Sequence, residues 1–501
     1  MKISLPVLLL VLCLMATGCA KDYTETIKSL DVDDYSRVQR HVVSIDPNGT
    51  YRTIPSLPNT GNALNEHQQY DLILKHIDAF LEEDSSCNPP RNKKNIKNIL
   101  IYAHGGLNSD EAAIKRAVNA TTKMIPIPNN LACADTYPIF IDWRSGPLST
   151  LGDHYFHIRD GKSDKSAPYT SPIYMVGDLA KTIGNTPMAW YHEGYQAIRT
   201  SVRYDNDEDN LSDDRKKYGV SLIPEIADDT GSWNVGRKAR WWVTAPIKII
   251  TTPFVFTFGT PAWDNMKRRT HTMFTAQNGD NNNLVMPDGA ARNFLKLLTQ
   301  RIKERRGEQK CPKFELTLMG HSMGGIIINR ALRDLPDDLT EVDNLVYMAS
   351  ADNLQNYLDA TLPLINKKNK LMVYNLHLHP ENEDREISSG GLTPSGSLLA
   401  WIDHTYDTPE YILQRTSGRW SNIRLVLDLI RDETKPNEIK TNKKPLLKNY
   451  RFTVFGRGEA KNGPQTHGSF DDFKFWEKSY WTGEKVCWID DEENNCSKES
   501  K

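Results

Sequence analysis

The chain lacks an excess of charge of either sign. Its 501 residues include 62 Lys and Arg and 64 Asp and Glu, which gives a formal net charge of −2. A charge this small produces no general field that would draw the protein to nucleic acid, so we expect no nucleic-acid partner. The chain also lacks internal repeats and low-complexity tracts, and its length suits one large or two ordinary domains.

Long hydrophobic runs are scarce. The run from Leu5 to Met15 follows Lys2 and is too short to cross a bilayer as a mature helix. Small residues at positions 16 and 18 suit a signal-peptidase cut. We therefore interpret residues 1–18 as an export signal that ends before Cys19.

One other stretch, 241–263, is strongly apolar and rich in aromatic residues. Three prolines and Lys248 interrupt it, so a membrane-spanning helix is not expected. Two interpretations remain open. The stretch is either a buried segment or a lid whose aromatic side chains contact acyl chains.

Cysteine is sparse, and its count is uneven for an exported protein. The chain has seven cysteines, and five of them follow Cys19, at positions 87, 133, 311, 487 and 496. Exported proteins form disulfides. Because Cys487 and Cys496 are close in sequence, we predict a small-loop disulfide between them.

The order of the predicted elements indicates an α/β protein. Apolar residues at helical spacing mark a helix within 65–84, with Asn65 as its N-cap, and further helices are predicted at 110–124, 326–332 and 397–413. Strands alternate with these helices, which predicts a mostly parallel central sheet with helices on both faces. The predicted strands are 98–103, 137–143, 314–319, 345–349, 371–377 and 450–455.

The same pattern divides the chain into regions. Residues 19–64 are polar and aperiodic, which predicts a tether and an irregular lead-in. The stretch 147–310, between the strands predicted at 137–143 and 314–319, is interpreted as an insertion or cap. The remaining divisions are 65–146 as the first part of the main domain, 147–310 as the cap, 311–488 as the second part, and 489–501 as a polar tail.

Residues 318–325 carry the most informative motif. They read Leu-Met-Gly-His-Ser-Met-Gly-Gly, so a Gly-x-Ser-x-Gly pattern surrounds Ser322. An apolar strand precedes this motif and a helix follows it, which is the order that a nucleophile elbow requires. The pattern therefore predicts Ser322 as a catalytic nucleophile.

A serine nucleophile needs a base, an orienting acid and donors for the oxyanion. With this elbow the chain order is Ser, acid, His, which leaves four of the thirteen histidines, at positions 377, 379, 404 and 467. His467 lies in a Gly-rich loop after the last predicted strand, and we predict it as the base. The backbone amides of Met323, Gly105 and Gly106 are the predicted oxyanion donors, because His104-Gly105-Gly106 ends a strand upstream of the elbow.

Together, the His-Gly-Gly, the Gly-His-Ser-Met-Gly and the strand that ends Trp143-Arg144-Ser145-Gly146 resemble the α/β-hydrolase family. The resemblance covers roughly 97–146 and 312–470, and the insertion after the strand at 137–143 departs from it. The first two strands of the family are also not evident, and residues 30–57 could supply them. The resemblance implies an acid after the strand predicted at 371–377, where Asp384 leads, with Asp352 after the strand at 345–349 as the alternative and with Glu381 and Glu383 also open.

In the topology of this family, the strand at 98–103 lies between the strands at 137–143 and 314–319. Cys87, Cys133 and Cys311 stand shortly before these three strands, so two of them are expected to pair.

The residues around Cys19 resemble a bacterial lipobox, which implies lipid on Cys19 and a membrane partner. Ala20 in the next position favours the outer membrane, facing the periplasm, by resemblance to Gram-negative lipoproteins. His377 and His379 share a strand face, but no Glu or Cys spacing supports zinc, and we expect neither a metal nor a cofactor.

The sequence thus predicts a membrane-anchored serine hydrolase of the cell envelope that cleaves carboxylic or lipid esters. Two alternatives remain: a non-enzymatic interaction lipoprotein on a hydrolase scaffold, and an acyltransferase or amidase that uses the same residues.

Overall fold

The structure is a computed structural model. It describes residues 22–57, 63–82, 96–125, 131–159, 162–163, 166–202, 213–214, 217–223, 255, 258–277, 287–308, 312–368, 370–386, 396–407, 409–432, 446–456, 463–489 and 497–498.

A parallel β-sheet of eight strands forms the centre of the protein. Its strand order is β1-β3-β2-β7-β8-β9-β10-β6, and every neighbouring pair is parallel. The strands of this sheet are β1 (Val42–Ile45), β2 (Lys97–Ala103), β3 (Thr136–Trp143), β6 (Ser221–Ile223), β7 (Phe314–His321), β8 (Asn344–Met348), β9 (Met372–Leu378) and β10 (Tyr450–Phe455). Two small antiparallel pairs join β4 (Ile158–Arg159) to β5 (Lys162–Ser163) and β11 (Lys485–Val486) to β12 (Ser497–Lys498).

Helices connect the parallel strands, as crossover connections require. They are α1 (Tyr23–Lys28), α2 (Val32–His41), α3 (Glu66–Leu81), α4 (Asp110–Met124), α5 (Pro147–Phe156), α6 (Ala167–Val202), α7 (Ala290–Gly307), α8 (Gly324–Asp334), α9 (Leu354–Lys367), α10 (Pro380–Arg385), α11 (Leu398–Trp401), α12 (Trp420–Asp432) and α13 (Lys478–Thr482). Shorter 3₁₀ turns occur at Leu131–Cys133, Asp338–Glu341, Ile412–Gln414, Leu446–Asn449 and His467–Asp472, and a π-helical turn at Ile402–Tyr406.

The predicted α/β class and mostly parallel sheet are confirmed. The six predicted strands appear within two residues of their expected ends, because buried parallel strands are continuous apolar runs. The helix predicted after Asn65 is α3, and the Asn65 side chain accepts from Gln68 in a capping box. The helix predicted at 397–413 instead consists of α11 and the π-helical turn, followed by a separate 3₁₀ turn.

Two strands come from regions with no evident strand pattern, and one of them, β1, lies within 30–57, the stretch named above as a source of further strands. β1 pairs with β3 from within the lead-in that was predicted to be irregular, and α1 and α2 precede it. At the other side of the sheet, β6 pairs with β10 from within the predicted cap. The cap region also contains α7, whose Phe294 and Leu298 are buried in the main core.

Parts of three predictions lie outside the described residues. Cys133 and Cys487 are each disulfide-bonded, whereas Cys87, Cys311 and Cys496 are not described. Of the stretch 241–263, which was interpreted as either a lid or a buried segment, only 255 and 258–263 are described, and Trp263 is buried. The export signal and Cys19 are not described. Among the described residues, no helix has both the length and the apolar character needed to cross a bilayer.

Candidate active site

Ser322 lies at the sharp turn between β7 and α8, near the centre of the sheet. Its φ of 51° is in the left-handed region, which is uncommon for a residue with a Cβ. The turn holds this conformation through the backbone. The Ser322 N–H donates to Met348 O (2.9 Å), and the Ser322 carbonyl accepts from Gly325 N (3.0 Å) and Ala351 N (2.9 Å). Strain of this kind persists where surrounding structure enforces it, and it often marks a functional residue.

The two glycines of the motif let this turn form. A Cβ on Gly324 would lie 2.0 Å from the backbone oxygen of Ala103, and one on Gly320 would lie 2.5 Å from the backbone of Gly324. Neither position has room for a side chain, because backbone atoms cannot move aside as a flexible side chain can. The absence of side chains at Gly320 and Gly324 therefore permits the close chain approach that this turn needs.

His467 reaches Ser322 from a position 145 residues later in the chain. Its Nε2 lies 2.8 Å from Ser322 Oγ. His467 opens the 3₁₀ turn His467–Asp472, and a capping box between Thr466 and Ser469 fixes the start of that turn. The serine is 2% exposed and the histidine 6% exposed. Burial lowers the pKa of His467 to about 3, with a smaller contribution from His321, so the imidazole is neutral and able to accept a proton at neutral pH.

The structure does not bring the predicted acids to this imidazole. Nδ1 of His467 is buried and has no hydrogen-bond partner among the described residues. The Asp384 carboxylate instead accepts from Arg419 at 2.7 Å. The alternative, Asp352, accepts from Asn329 and Asn356, each at 2.8 Å. Both carboxylates therefore bind other side chains, Asp352 in the segment after β8 and Asp384 in α10 after β9.

The other two open positions in the charged segment are also buried. Glu381 lies at the start of α10 and is 1% exposed. Glu383 accepts from the Ser397 hydroxyl and lies near Arg419, and burial raises its pKa to about 8. Arg419 is thus surrounded by Glu383, Asp384 and Asp403. These contacts indicate that the cluster fixes the segment after β9.

Glu386, which the sequence analysis did not single out, contacts His467 directly. Its Oε2 accepts from the backbone N–H of His467 at 2.8 Å. Desolvation raises the pKa of this carboxyl to about 7, although the His467 amide lowers it. Glu386 comes two residues after Asp384, in the segment that the family resemblance indicated.

His321, the residue before the nucleophile, holds the base from a second side. Its Nε2 donates to the His467 carbonyl at 2.9 Å, and its Nδ1 lies 3.7 Å from Asp471 Oδ2. Asp471 also contacts Arg116 at 2.7 Å and Tyr102 at 3.2 Å. Burial alone would raise the pKa of Asp471, but these partners lower it to about 2. A charged, buried carboxylate therefore fixes the segment that carries the base.

Gly105 and Gly106 lie against the elbow, as the sequence predicted. A Cβ on Gly105 would lie 3.0 Å from Ser322 Cβ, and one on Gly106 would lie 2.6 Å from Met323 Sδ. The Gly105 carbonyl contacts His104 Nδ1 (2.7 Å) and accepts from Asn108 Nδ2 (2.8 Å) and Ser145 Oγ (3.3 Å).

A trans peptide unit is planar, so its C=O and N–H point in opposite directions. The three contacts to the Gly105 carbonyl therefore also fix the direction of the Gly106 N–H. Met323, the other predicted donor, is the N-cap of α8. Amides at a helix N-terminus have no partner within the helix and favour negative charge. The predicted donors thus lie at the N-terminus of α8 and in the glycine loop, whose direction is fixed by contacts to the Gly105 carbonyl.

No group of three or more His, Cys, Asp or Glu side chains that could hold a metal ion occurs in the described part of the chain. Comparison of the chain with protein-family models, with curated proteins and with solved structures finds no match.

Proposed function

We propose that the protein is a serine hydrolase of the α/β-hydrolase fold that cleaves carboxylic or lipid esters through an acyl-enzyme. The observation that carries the proposal is the 2.8 Å contact between Ser322 Oγ and His467 Nε2 at a turn with positive φ. A chance contact would not be expected to coincide with a strained serine, two glycines without room for a side chain, and a glycine loop beside them.

The reaction would proceed in two halves. Ser322 Oγ attacks the ester carbonyl carbon while His467 Nε2 takes the hydroxyl proton. The bond to the alcohol oxygen then breaks as His467 returns that proton to the leaving group. In the second half, water attacks the acyl-enzyme, His467 takes a proton from the water, and the carboxylic acid leaves as Ser322 regains its hydrogen. The amides of Met323, Gly105 and Gly106 would stabilise the oxyanion in both halves.

We assign the orienting carboxylate to Glu386. It is in hydrogen-bond contact with the backbone of His467, whereas Asp384 is paired with Arg419 and Asp352 with two asparagines. A carboxylate there would stabilise the imidazolium that forms when His467 takes the proton. Asp471 is the alternative, because it lies in the same 3₁₀ turn as His467, contacts His321, and carries a charge that raises the pKa of His467.

The strand order supports the hydrolase fold in particular. β2, which ends in the glycine loop, lies between β3 and β7, so the loop and the elbow end neighbouring strands. The parts of 147–310 other than β6 and α7 are proposed as a cap that shapes the acyl pocket. Lipid attachment at Cys19 and a location in the bacterial cell envelope, on the outer membrane facing the periplasm, remain part of the proposal.

A fluorophosphonate probe tests the nucleophile. Such probes form a covalent bond with an activated serine, so the wild-type protein should be labelled and Ser322→Ala should not. Ser417→Ala is a matched control, because Ser417 is also buried and its hydroxyl has no hydrogen-bond partner among the described residues. Equal labelling of the wild type and Ser322→Ala would overturn the proposed function.

A further inference from the structure

The first described helix, α1, is attached to the carboxyl edge of the sheet. α1 begins at Tyr23, whose hydroxyl donates to Ser44 Oγ at 3.0 Å, and Ser44 donates to Asp142 Oδ2 at 3.0 Å. Ser44 and Asp142 are each the last residue but one of their strands, β1 and β3. The Arg52 guanidinium lies 3.7 Å above the Tyr23 ring and closes this contact from the other side. α1 is therefore fixed to the edge where the strands end.

The same edge carries Ser322. All strands of the sheet are parallel, so their carboxyl ends lie together, and β1 is three strand spacings from β7 in the order β1-β3-β2-β7. At about 4.8 Å per spacing, the two strands are about 14 Å apart. Cys19 precedes Tyr23 by four residues, a length of chain that extends over about 14 Å at most. Lipid on Cys19 would therefore hold this edge of the protein close to a bilayer.

The long helix α6 lies at this edge too. It packs against α5 and α10, which follow the carboxyl ends of β3 and β9. Asp178 of α6 fixes the first of these contacts through His154 and Tyr155 of α5, each at 3.0 Å. The helix α6 therefore lies at the same edge of the sheet as Ser322.

One side of α6 exposes large apolar side chains. Tyr169 is 86% exposed, Ile173 72% and Val176 67%. These positions are spaced i, i+4 and i+7, which places them on one helix face. Trp190 and Tyr191 add exposed ring area further along the helix. Tyrosine and tryptophan side chains of this kind are favoured at membrane–water interfaces.

We propose that the face of α6 formed by Tyr169, Ile173 and Val176 sits on the surface of a lipid bilayer and that the substrate is an ester of a lipid in that bilayer. The apolar face of α6 and the start of α1, which Cys19 precedes, are separate features of the protein. Both lie at the edge of the sheet that carries Ser322. The substrate class rests on the proposed serine hydrolase activity, whereas contact between α6 and the bilayer does not.

Vesicle binding tests the surface itself. The mature full-length chain with Cys19→Ser and Ser322→Ala has neither anchor nor nucleophile, and should sediment with vesicles of phosphatidylethanolamine and phosphatidylglycerol. Adding Tyr169→Ser, Ile173→Ser and Val176→Ser should weaken this binding at least tenfold. The matched control replaces three apolar residues that are exposed elsewhere, Val32, Tyr411 and Leu425, with Ser and should bind as before. Equal binding of the α6 variant, or no binding by the parent chain, would overturn the proposal.

Turnover tests the substrate class. With the lipidated, catalytically intact protein in proteoliposomes, the α6 substitutions should lower the ratio of bilayer-lipid hydrolysis to short soluble ester hydrolysis at least tenfold. An unchanged ratio would contradict the lipid substrate. Loss of hydrolysis of both substrates in the wild type would contradict the proposed function instead, while the vesicle experiment would still report on α6. A change of oligomeric state on α6 substitution, seen by gel filtration, would identify the face as a protein interface and reject the bilayer.

Discussion

At the residue scale, hydrogen bonds to the backbone of His467, the proposed base, hold this residue in place. The His467 N–H donates to Glu386, and the His467 carbonyl accepts from His321. These two contacts approach the residue from different segments of the chain, one after β9 and one at the end of β7. The imidazole can therefore stay within reach of Ser322 although the loop that precedes it is Gly-rich.

Substitution of the proposed acid should separate Glu386 from Asp384. Glu386→Gln keeps the size of the side chain but removes the charge that would stabilise the imidazolium. We expect kcat/KM for a soluble ester to fall by about 10²- to 10⁴-fold, the range typical of acid–base contributions. Asp384→Asn should mainly lower stability, because it leaves Arg419 with one fewer buried carboxylate. Ester hydrolysis and thermal unfolding of both variants distinguish the two roles.

If Asp384→Asn lowered kcat/KM as much as Glu386→Gln without loss of stability, Asp384 would be restored as the acid. A large loss in Asp471→Asn with none in Glu386→Gln would select Asp471.

The pH profile should report Glu386 rather than the histidine. The pKa of Glu386 is raised to about 7 and that of His467 is lowered to about 3, in both cases mainly by desolvation. As pH falls through about 7, the carboxyl takes up a proton and loses the charge that supports the imidazolium. The kcat/KM of the wild type should therefore fall on the acid side near pH 7 while His467 is still neutral. Glu386→Gln should have a low rate with no such fall, and a fall that persisted in this variant would assign the titration to another group.

Which carboxylate reaches His467 was not readable from the sequence. Residues 381–386 include four carboxylates within six positions. α10 ends at Arg385, and tertiary contacts separate Asp384, which faces Arg419, from Glu386 beyond the helix end. By contrast, the contact between Ser322 and His467 could be predicted from local signals, namely the elbow motif in one case and the loop after the last strand in the other.

At the element scale, the crossing of α8 and β2 determines whether the elbow can form. Gly324 is the first residue of α8 and lies directly against the end of β2. The strand and the helix are therefore separated there by backbone atoms alone.

Gly324→Ala should destabilise the protein by about 3 kcal/mol, because its Cβ would lie 2.0 Å from the Ala103 oxygen and the two elements must move apart. Gly152→Ala is the matched control. It lies within α5, and a Cβ there meets nothing within 4 Å, so it should stabilise by up to about 1 kcal/mol. Denaturant unfolding measures both variants. Equal stability of Gly324→Ala and the wild type would show that the elbow tolerates a wider turn.

The strands that show no evident pattern in the sequence are short. β1 has four residues and β6 three, so neither is long enough to show a strand pattern in its own segment. Each is a strand because a longer neighbour, β3 or β10, supplies its hydrogen-bond partners. The longer strands and α3 carry their own apolar pattern or capping signals and were predicted for that reason.

At the scale of the whole molecule, a net charge of −2 leaves the pH dependence of stability to individual buried groups. Burial lowers the pKa of His41 to about 3 and of His377 to about 4, so these residues bind protons in the unfolded state at pH values where the native state does not. Stability should therefore fall as pH drops below about 6.5. Glu383 acts in the opposite sense, since its pKa is raised to about 8 by burial.

Replacement of Glu383 by Gln should reveal this second trend. Between the usual carboxyl pKa and about 8, native Glu383 holds a proton that the unfolded chain has released, so its contribution to stability falls as pH rises across that window. Glu383→Gln has no proton to lose. Its stability relative to the wild type should therefore increase from pH 5 to pH 8, as measured by chemical denaturation at both values. A difference independent of pH would show that Glu383 is ionised throughout.

The pairing of β6 with β10 also affects how this architecture can be altered. The strand at one border of the sheet is supplied by the region interpreted as a cap, and it covers the hydrogen-bonding edge of β10, the strand that leads into the His467 loop. Excision or exchange of 147–310 as a separate module would leave that edge open to pairing with another chain. Chimeras that graft a foreign cap onto this scaffold should therefore retain 217–223 or supply a replacement strand, or they will tend to aggregate.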